Sequence, residues 1–147
     1  MLSNKRFGLV LLAVVFGAGF VLGNLVQPSS VLSAQSSGTV YEMRTYTSGP
    51  GKLSDLQARF RDHTVGLFER HGMKNIGYWV PTDAPQSENT LIYVLEYPSR
   101  DAARASWDAF RADPDWVEAR AESERNGRLA INVESVFMTA TDYSPIK

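Results

Sequence analysis

The sequence contains no cysteine. Disulfides, thiolate metal sites, iron–sulfur clusters, a cysteine nucleophile and an acylated lipoprotein cysteine are therefore excluded. Nor is there an excess of one charge: 15 Lys and Arg stand against 16 Asp and Glu, a formal net of −1. Non-specific nucleic-acid binding needs a basic face, and this balance argues against one. A glycine-rich phosphate loop is missing, because Gly49-Pro50-Gly51 lacks the later glycine or lysine such loops use. There is no G-x-S-x-G elbow to present a nucleophilic serine. Histidine is scarce, with only His63 and His71. Their spacing of eight differs from the i, i+4 pair that shares one ion on a helix, so no metal site is expected. What remains is 147 residues with an 11% aromatic share. That is one domain by length, and too aromatic for disorder.

The charge is unevenly placed. Residues 1–34 hold Lys5 and Arg6 and no acid, whereas residues 35–147 hold 13 basic and 16 acidic side chains. Behind Lys5-Arg6 runs an uncharged apolar stretch of 20 residues, 7–26, long enough for a helix to cross a bilayer core of about 30 Å. A cleaved signal peptide usually has an apolar stretch of roughly 7–15 residues, so the length favours a retained anchor. Against that, Pro28-Ser29-Ser30 breaks the helix and Ser33-Ala34-Gln35 offers small residues for cleavage. Residues 1–34 thus read as a signal peptide or an N-terminal membrane anchor, residues 35–39 as a linker, and residues 40–142 as the domain. In both readings the basic flank stays inside and the domain is exported. It is periplasmic or secreted after cleavage, and membrane-anchored outside the cytoplasm otherwise.

The body reads as β-α-β-β-α-β. Residues 40–46 alternate and are rich in strand formers, and Ser48-Gly49-Pro50-Gly51 ends them. Leu53, Leu56, Phe60, Leu67 and Phe68 then fall on one helical face, with Arg59, Arg61, Asp62, Glu69 and Arg70 mostly elsewhere. Gly72 closes that helix. Residues 75–80 form a second strand, and residues 90–97 a nearly continuous apolar third strand, expected to be central. Ser99 caps the next helix, which Asp113-Pro114 breaks and restarts. Residues 130–139 alternate as the last strand. The pattern is an α+β, ferredoxin-like layout: a four-stranded antiparallel sheet with two helices on one face. Its other face carries Ile92, Val94 and Val136, too apolar for water. A second copy through a twofold axis is the simplest cover.

Several segments resemble the NIPSNAP family. They are residues 41–46 (Tyr-Glu-Met-Arg-Thr-Tyr), Pro50-Gly51-Lys52, His63, His71-Gly72, Gly77-Tyr78-Trp79, Glu96-Tyr97 and residues 112–116 (Ala-Asp-Pro-Asp-Trp). The resemblance implies a dimeric α/β-barrel, two ferredoxin-like units with their sheets face to face. It implies no settled chemistry. Fold relatives of the family include cofactor-independent monooxygenases and haem proteins, and fold alone is a weak warrant for function.

The candidate site residues are few. His63 and His71 lie near the Phe60–Leu67 stripe and are expected to point between helix and sheet, His63 as a general base or ligand contact. Arg44 shares a strand face with Glu42 and Tyr46, with Glu96 and Glu134 on neighbouring strands. It either holds an anionic ligand group or forms a structural ion pair with a glutamate, and the structural role is favoured. Trp79, Tyr93 and Trp107 are core aromatics or ligand-lining ones. No cofactor is called for, and haem is the one alternative. The favoured reading is a homodimeric small-ligand-binding or scaffolding module. The alternative is a small monooxygenase or haem-associated enzyme that uses His63 in a helix–sheet pocket.

Overall fold

Alternation of Val40, Glu42, Arg44 and Tyr46 with Tyr41, Met43 and Thr45 makes the first strand, β1 (Val40–Ser48), two-faced. Everything else is arranged on its two sides. The computed structural model describes residues 38–146, so the signal, anchor and linker expectations for residues 1–37 lie outside the described residues. Among the described residues, no helix is long and apolar enough to cross a membrane.

The first helical segment is expected to be continuous but has three parts. Helix α1 (Leu53–Arg59) passes into a π turn (Phe60–Thr64) and then helix α2 (Val65–Arg70). Within the π turn the Val65 N–H donates to the Phe60 carbonyl, five residues back. Thr64 is fully buried and donates its hydroxyl to the Arg59 carbonyl at 3.2 Å, while His63 beside it is exposed. At the end of α2, Gly72 takes φ +73°, and the Met73 N–H reaches the Phe68 carbonyl at 2.9 Å. A left-handed residue there lets the last carbonyls find donors and drops Met73 into the core.

Strands β2 (Lys74–Trp79) and β3 (Thr90–Tyr97) follow. Helix α3 (Arg100–Ala112) starts with the Ser99 hydroxyl accepting from the Ala102 N–H at 3.1 Å. Helix α4 (Pro114–Ser123) starts with Asp113 accepting from the Asp115 N–H at 2.9 Å and Pro114 in the first turn. Both caps stand where the sequence places them. Strand β4 (Ala130–Met138) completes an antiparallel sheet of order β2-β3-β1-β4. This is the expected ferredoxin-like fold.

The core lies between the helices and one sheet face. Leu56, Phe60, Phe68, Tyr93, Leu95, Tyr97, Ala103 and Phe110 are all essentially inaccessible. Each large side chain so buried contributes on the order of 1.5–3 kcal/mol. The register Glu42↔Leu95 and Arg44↔Tyr93 puts Glu42 and Arg44 among them. Opposite, Ile92 and Val94 are half-buried while Trp79 and Val136 are half-exposed.

Candidate functional site

A carboxylate in the middle of a sheet must be fully hydrogen-bonded to be tolerated there. Glu42 meets that condition at 1% exposure. Its Oε1 accepts from Arg44 Nη1 at 2.7 Å and from the Ser135 hydroxyl at 2.6 Å. Its Oε2 accepts from Trp107 Nε1 at 2.6 Å and from the Tyr97 hydroxyl at 2.9 Å. Burial pushes its pKa up, but the bonds from Ser135 and Trp107 and the Arg44 charge outweigh this, leaving it below the ordinary glutamate value. Burial, with Glu42 alongside, raises the Tyr97 phenol. At neutral pH, Glu42 is therefore an anion surrounded by donors.

That anion fixes Arg44. The guanidinium stands 4.2 Å from the centre of the Trp107 ring and 5.7 Å from that of Tyr46, inside the range of cation–π attraction. Of the two readings for Arg44, the ion pair with a glutamate is present. Its partner is Glu42 on the same strand, whereas Lys74 holds Glu96 at 2.9 Å on the opposite face of the sheet. Arg44 is not used up by this pairing. Its side chain is 18% exposed and lines a cleft of about 220 Å³ between α3, α4 and the edge strand β4.

The remaining wall of the cleft is cationic and aromatic. Arg59, Arg111, Arg120 and Arg128 line it together with Tyr46, Trp107, Phe110 and Trp116. Arg59 was expected away from the apolar face of its helix, yet it is 5% exposed. It can be buried because Glu124 on α4 accepts from its Nη1 at 3.1 Å and the Trp116 ring lies 5.2 Å from its guanidinium. Glu124 also binds Arg120 Nε at 3.3 Å. Burial raises the pKa of Glu124, but the Arg59 hydrogen bond and charge prevail and lower it. The cleft lining contains no histidine, serine, threonine or lysine. Glu124 in the lining and Glu42 behind Arg44 are held as anions by their donors and are weak proton acceptors.

The structure separates the other sequence candidates. His63 does not face the helix–sheet space. It is exposed on the outer surface, in a groove between α2 and α4 lined also by Asp62, Arg70, Glu118 and Glu122. His63 sits at the edge of the apolar stripe, and Thr64, one residue on, takes the inward place. His71 is a clamp at the end of α2, with its Nε2 2.6 Å from Asp113 Oδ2, the N-cap of α4. Arg70 joins it, reaching Asp113 at 3.2 Å and Asp115 at 2.6 Å. The His71 hydrogen bond is the main cause holding Asp113 below the usual aspartate value. Tyr93 is completely buried, packed against Tyr46, Phe60, Phe68 and Tyr78. Burial raises its phenol far above the ordinary value. Trp79 lies on the opposite sheet face, where it lines an apolar cavity of about 350 Å³ with Tyr41, Ile76, Val94 and Met138. Only Arg44 and Trp107 of the six candidates meet at one site.

Sequence reasoning missed Arg59, Trp116, Arg120 and Arg128 as lining groups. Arg59 carried a usable signal, since it follows Leu56 by three on the buried stripe. The others come from a separate helix and loop, and only the fold brings them to Arg44.

The NIPSNAP family profile matches residues 41–145. The mouse (Mus musculus) protein NipSnap homolog 3B is 31% identical over 84 residues, which are 57% of this chain and 33% of that protein. The chain thus spans about a third of the length of that curated relative. Among solved structures, a NIPSNAP family protein of unknown function from Agrobacterium tumefaciens aligns with a TM-score of 0.65 at 20% identity, covering 76% of this chain and 96% of that one. An uncharacterised NIPSNAP-like domain protein from Burkholderia xenovorans aligns at 0.64 and 16% identity, over 74% and 90% of the two chains. SnoaB, a cofactor-independent oxygenase from Streptomyces nogalater, aligns at 0.50 and 18% identity, over 74% and 98%. These structural likenesses are of fold. The chain belongs to the NIPSNAP family.

Proposed function

We propose that this NIPSNAP domain is a homodimeric small-ligand-binding module, with its ligand in the cleft beside β4 and its dimer seam on the open sheet face. The observation that carries the binding reading is the make-up of the cleft. Cations and aromatic rings line it, and its carboxylates are already saturated by donors. Such a wall recognises and orients a small molecule, and its one hydroxyl, on Tyr46, already accepts from Tyr93 at 3.1 Å. The fold likeness to SnoaB supports an oxygenase reading only distantly. The histidine which that reading invoked lies on the outer surface.

The dimer reading rests on the other face. Trp79 is 51% and Val136 50% exposed there, next to the half-buried Ile92 and Val94. A contiguous apolar patch on a sheet is usually an interface, and twofold pairing of identical faces is the commonest way to cover one. Native mass spectrometry of the gently extracted full chain tests both halves of the proposal. A dimer carrying a constant extra mass supports both. Trp79→Asp and Val136→Asp then convert that dimer to monomer. A wild-type protein that stays monomeric at micromolar concentration overturns the dimer. A dimer that gains no mass in screens of small organic ligands overturns the binding module.

A further inference from the structure

We propose that the cleft beside β4 takes an aromatic carboxylate, a flat body of one or two rings bearing a single negative charge. This inference rests on the ligand-binding reading above and names the ligand class.

The charge count comes first. Five guanidiniums line the cleft: Arg44, Arg59, Arg111, Arg120 and Arg128. Their carboxylate partners are three. Glu42 holds Arg44, Asp108 holds Arg111 at 2.6 Å, and Glu124 is shared by Arg59 and Arg120. Among the described residues Arg128 has no ion pair, and the Nε groups of Arg44 and Arg59 have no acceptor. A guanidinium has five N–H donors, so Arg44 keeps capacity after its single bond to Glu42.

Position then separates the structural arginines from the ones free to bind. Arg111 and Arg120 sit in the last turns of α3 and α4, whereas Arg59, inside the continuous run from α1 to α2, is held by Glu124. The negative ends of α3 and α4 offset part of the charge of Arg111 and Arg120. Arg44 on β1 and Arg128 in the loop before β4 have no such compensation. A ligand carboxylate matches the planar fork of a guanidinium and offsets part of the charge that is left.

Size and wall chemistry fix the rest of the ligand. A volume of about 220 Å³ is below the usual range for drug-sized ligands, roughly 300–1,000 Å³. Nucleotides are too large for it. Tyr46, Trp107, Phe110 and Trp116 offer ring faces and edges to a flat apolar body.

The test uses the full chain and two probes of one shape, 2-naphthoate and the neutral 2-naphthylmethanol. Binding is read by calorimetry and by quenching of tryptophan fluorescence, with Trp107→Phe identifying the cleft as the site. The expected result is that naphthoate binds at least about tenfold more tightly than the alcohol, a difference of about 1.4 kcal/mol. Arg128→Gln, a change at an exposed position, should cut that preference to less than about threefold and leave the alcohol unaffected. Equal binding of both probes at the cleft overturns the carboxylate inference and leaves the binding module standing. Undiminished preference in Arg128→Gln overturns the assignment of the charge to this wall. Binding of neither probe overturns the carboxylate inference. Failure of every other small ligand as well then overturns the binding module.

Discussion

Replacing Glu42 by glutamine removes one charge and almost nothing of the shape. The carboxylate now serves four donors, two on each oxygen. A glutamine has one oxygen and one NH2, so whichever way the amide turns, the NH2 faces two donors. If it faces Ser135 and Arg44, the serine hydroxyl can rotate and accept, but the guanidinium cannot. If it faces Tyr97 and Trp107, the phenol can accept, but the indole cannot. One buried N–H loses its acceptor in either case, at about 1–3 kcal/mol. Breaking a buried ion pair from one side typically costs about 3–5 kcal/mol in all. Against a domain stability of about 5–15 kcal/mol, we expect Glu42→Gln to lose roughly a third or more. Urea unfolding of the full chain, followed by circular dichroism, measures it. The pH dependence gives a second, independent reading. Because the folded-state pKa of Glu42 is lowered, the unfolded chain binds more protons and stability rises with pH. The contribution is complete above the unfolded glutamate value of about 4.3 and disappears as pH falls through the folded value. The gap between wild type and variant should therefore be full at pH 7 and shrink below about pH 4. A loss under about 1 kcal/mol at pH 7, or a gap that is the same at pH 3, would refute the reasoning.

Three other perturbations follow from the same geometry. Arg44→Met leaves Glu42 charged, buried and short of one donor, and should destabilise by about 3 kcal/mol; a variant that stays as stable as wild type would remove the structural role of the ion pair. In the double variant with Glu42→Gln the two losses should fall well short of additive, which a double-mutant cycle reads directly. Gly77→Ala puts a Cβ 2.6 Å from the indole of Trp79, so the half-exposed ring must swing away. Emission from Trp79 should shift for a stability loss of about 1 kcal/mol or less, and an unmoved spectrum contradicts the packing. Asp113→Asn can still cap α4 but loses the charge that draws in His71 and Arg70. Since Asp113 is held below the usual aspartate value, thermal melts should show the deficit at neutral pH and its loss in acid below that value. A deficit independent of pH would mean that the charge of Asp113 is not its cause.

The fold was legible because its signals are local. Ser99 and Asp113-Pro114 mark helix starts, Gly72 marks an end, and the period-two run of β1 sorts its residues onto two faces. His63 shows where such reading fails. At 100° per residue His63 falls on the margin of the apolar stripe, where periodicity does not decide between inside and outside. His63 lies at the edge of the stripe, and the packing that buries Thr64 beside it leaves His63 in the outer groove. Arg59 failed for a different reason. The helical period placed it away from the apolar face, but its acceptor Glu124, 65 residues away, lets it be buried. A burial made affordable by a long-range partner cannot be read from a local pattern. Arg44 and Trp107 were found as individuals because strand and helix periodicity put both on inward faces. The site they form with Arg128 depended on tertiary contacts.

The Glu42–Arg44 pair ties the two proposed roles of Arg44 together. Desolvating a carboxylate and a guanidinium is costly, and an apolar pair of the same volume would often serve stability as well. Stability alone is therefore a weak reason for this pair at the centre of a sheet. Orientation is a stronger one. Glu42 grips a single Nη and Trp107 covers one face of the guanidinium, so the plane of Arg44 is fixed with part of it open to the cleft. A binding group held this way gives up little freedom when a ligand arrives. Trp107 is itself anchored by its bond to Glu42, so one buried anion sets both the cation and the aromatic wall. On this argument Glu42→Gln should weaken naphthoate binding even under conditions where the variant remains fully folded. A structural pair with no part in recognition would leave the affinity of the folded fraction unchanged.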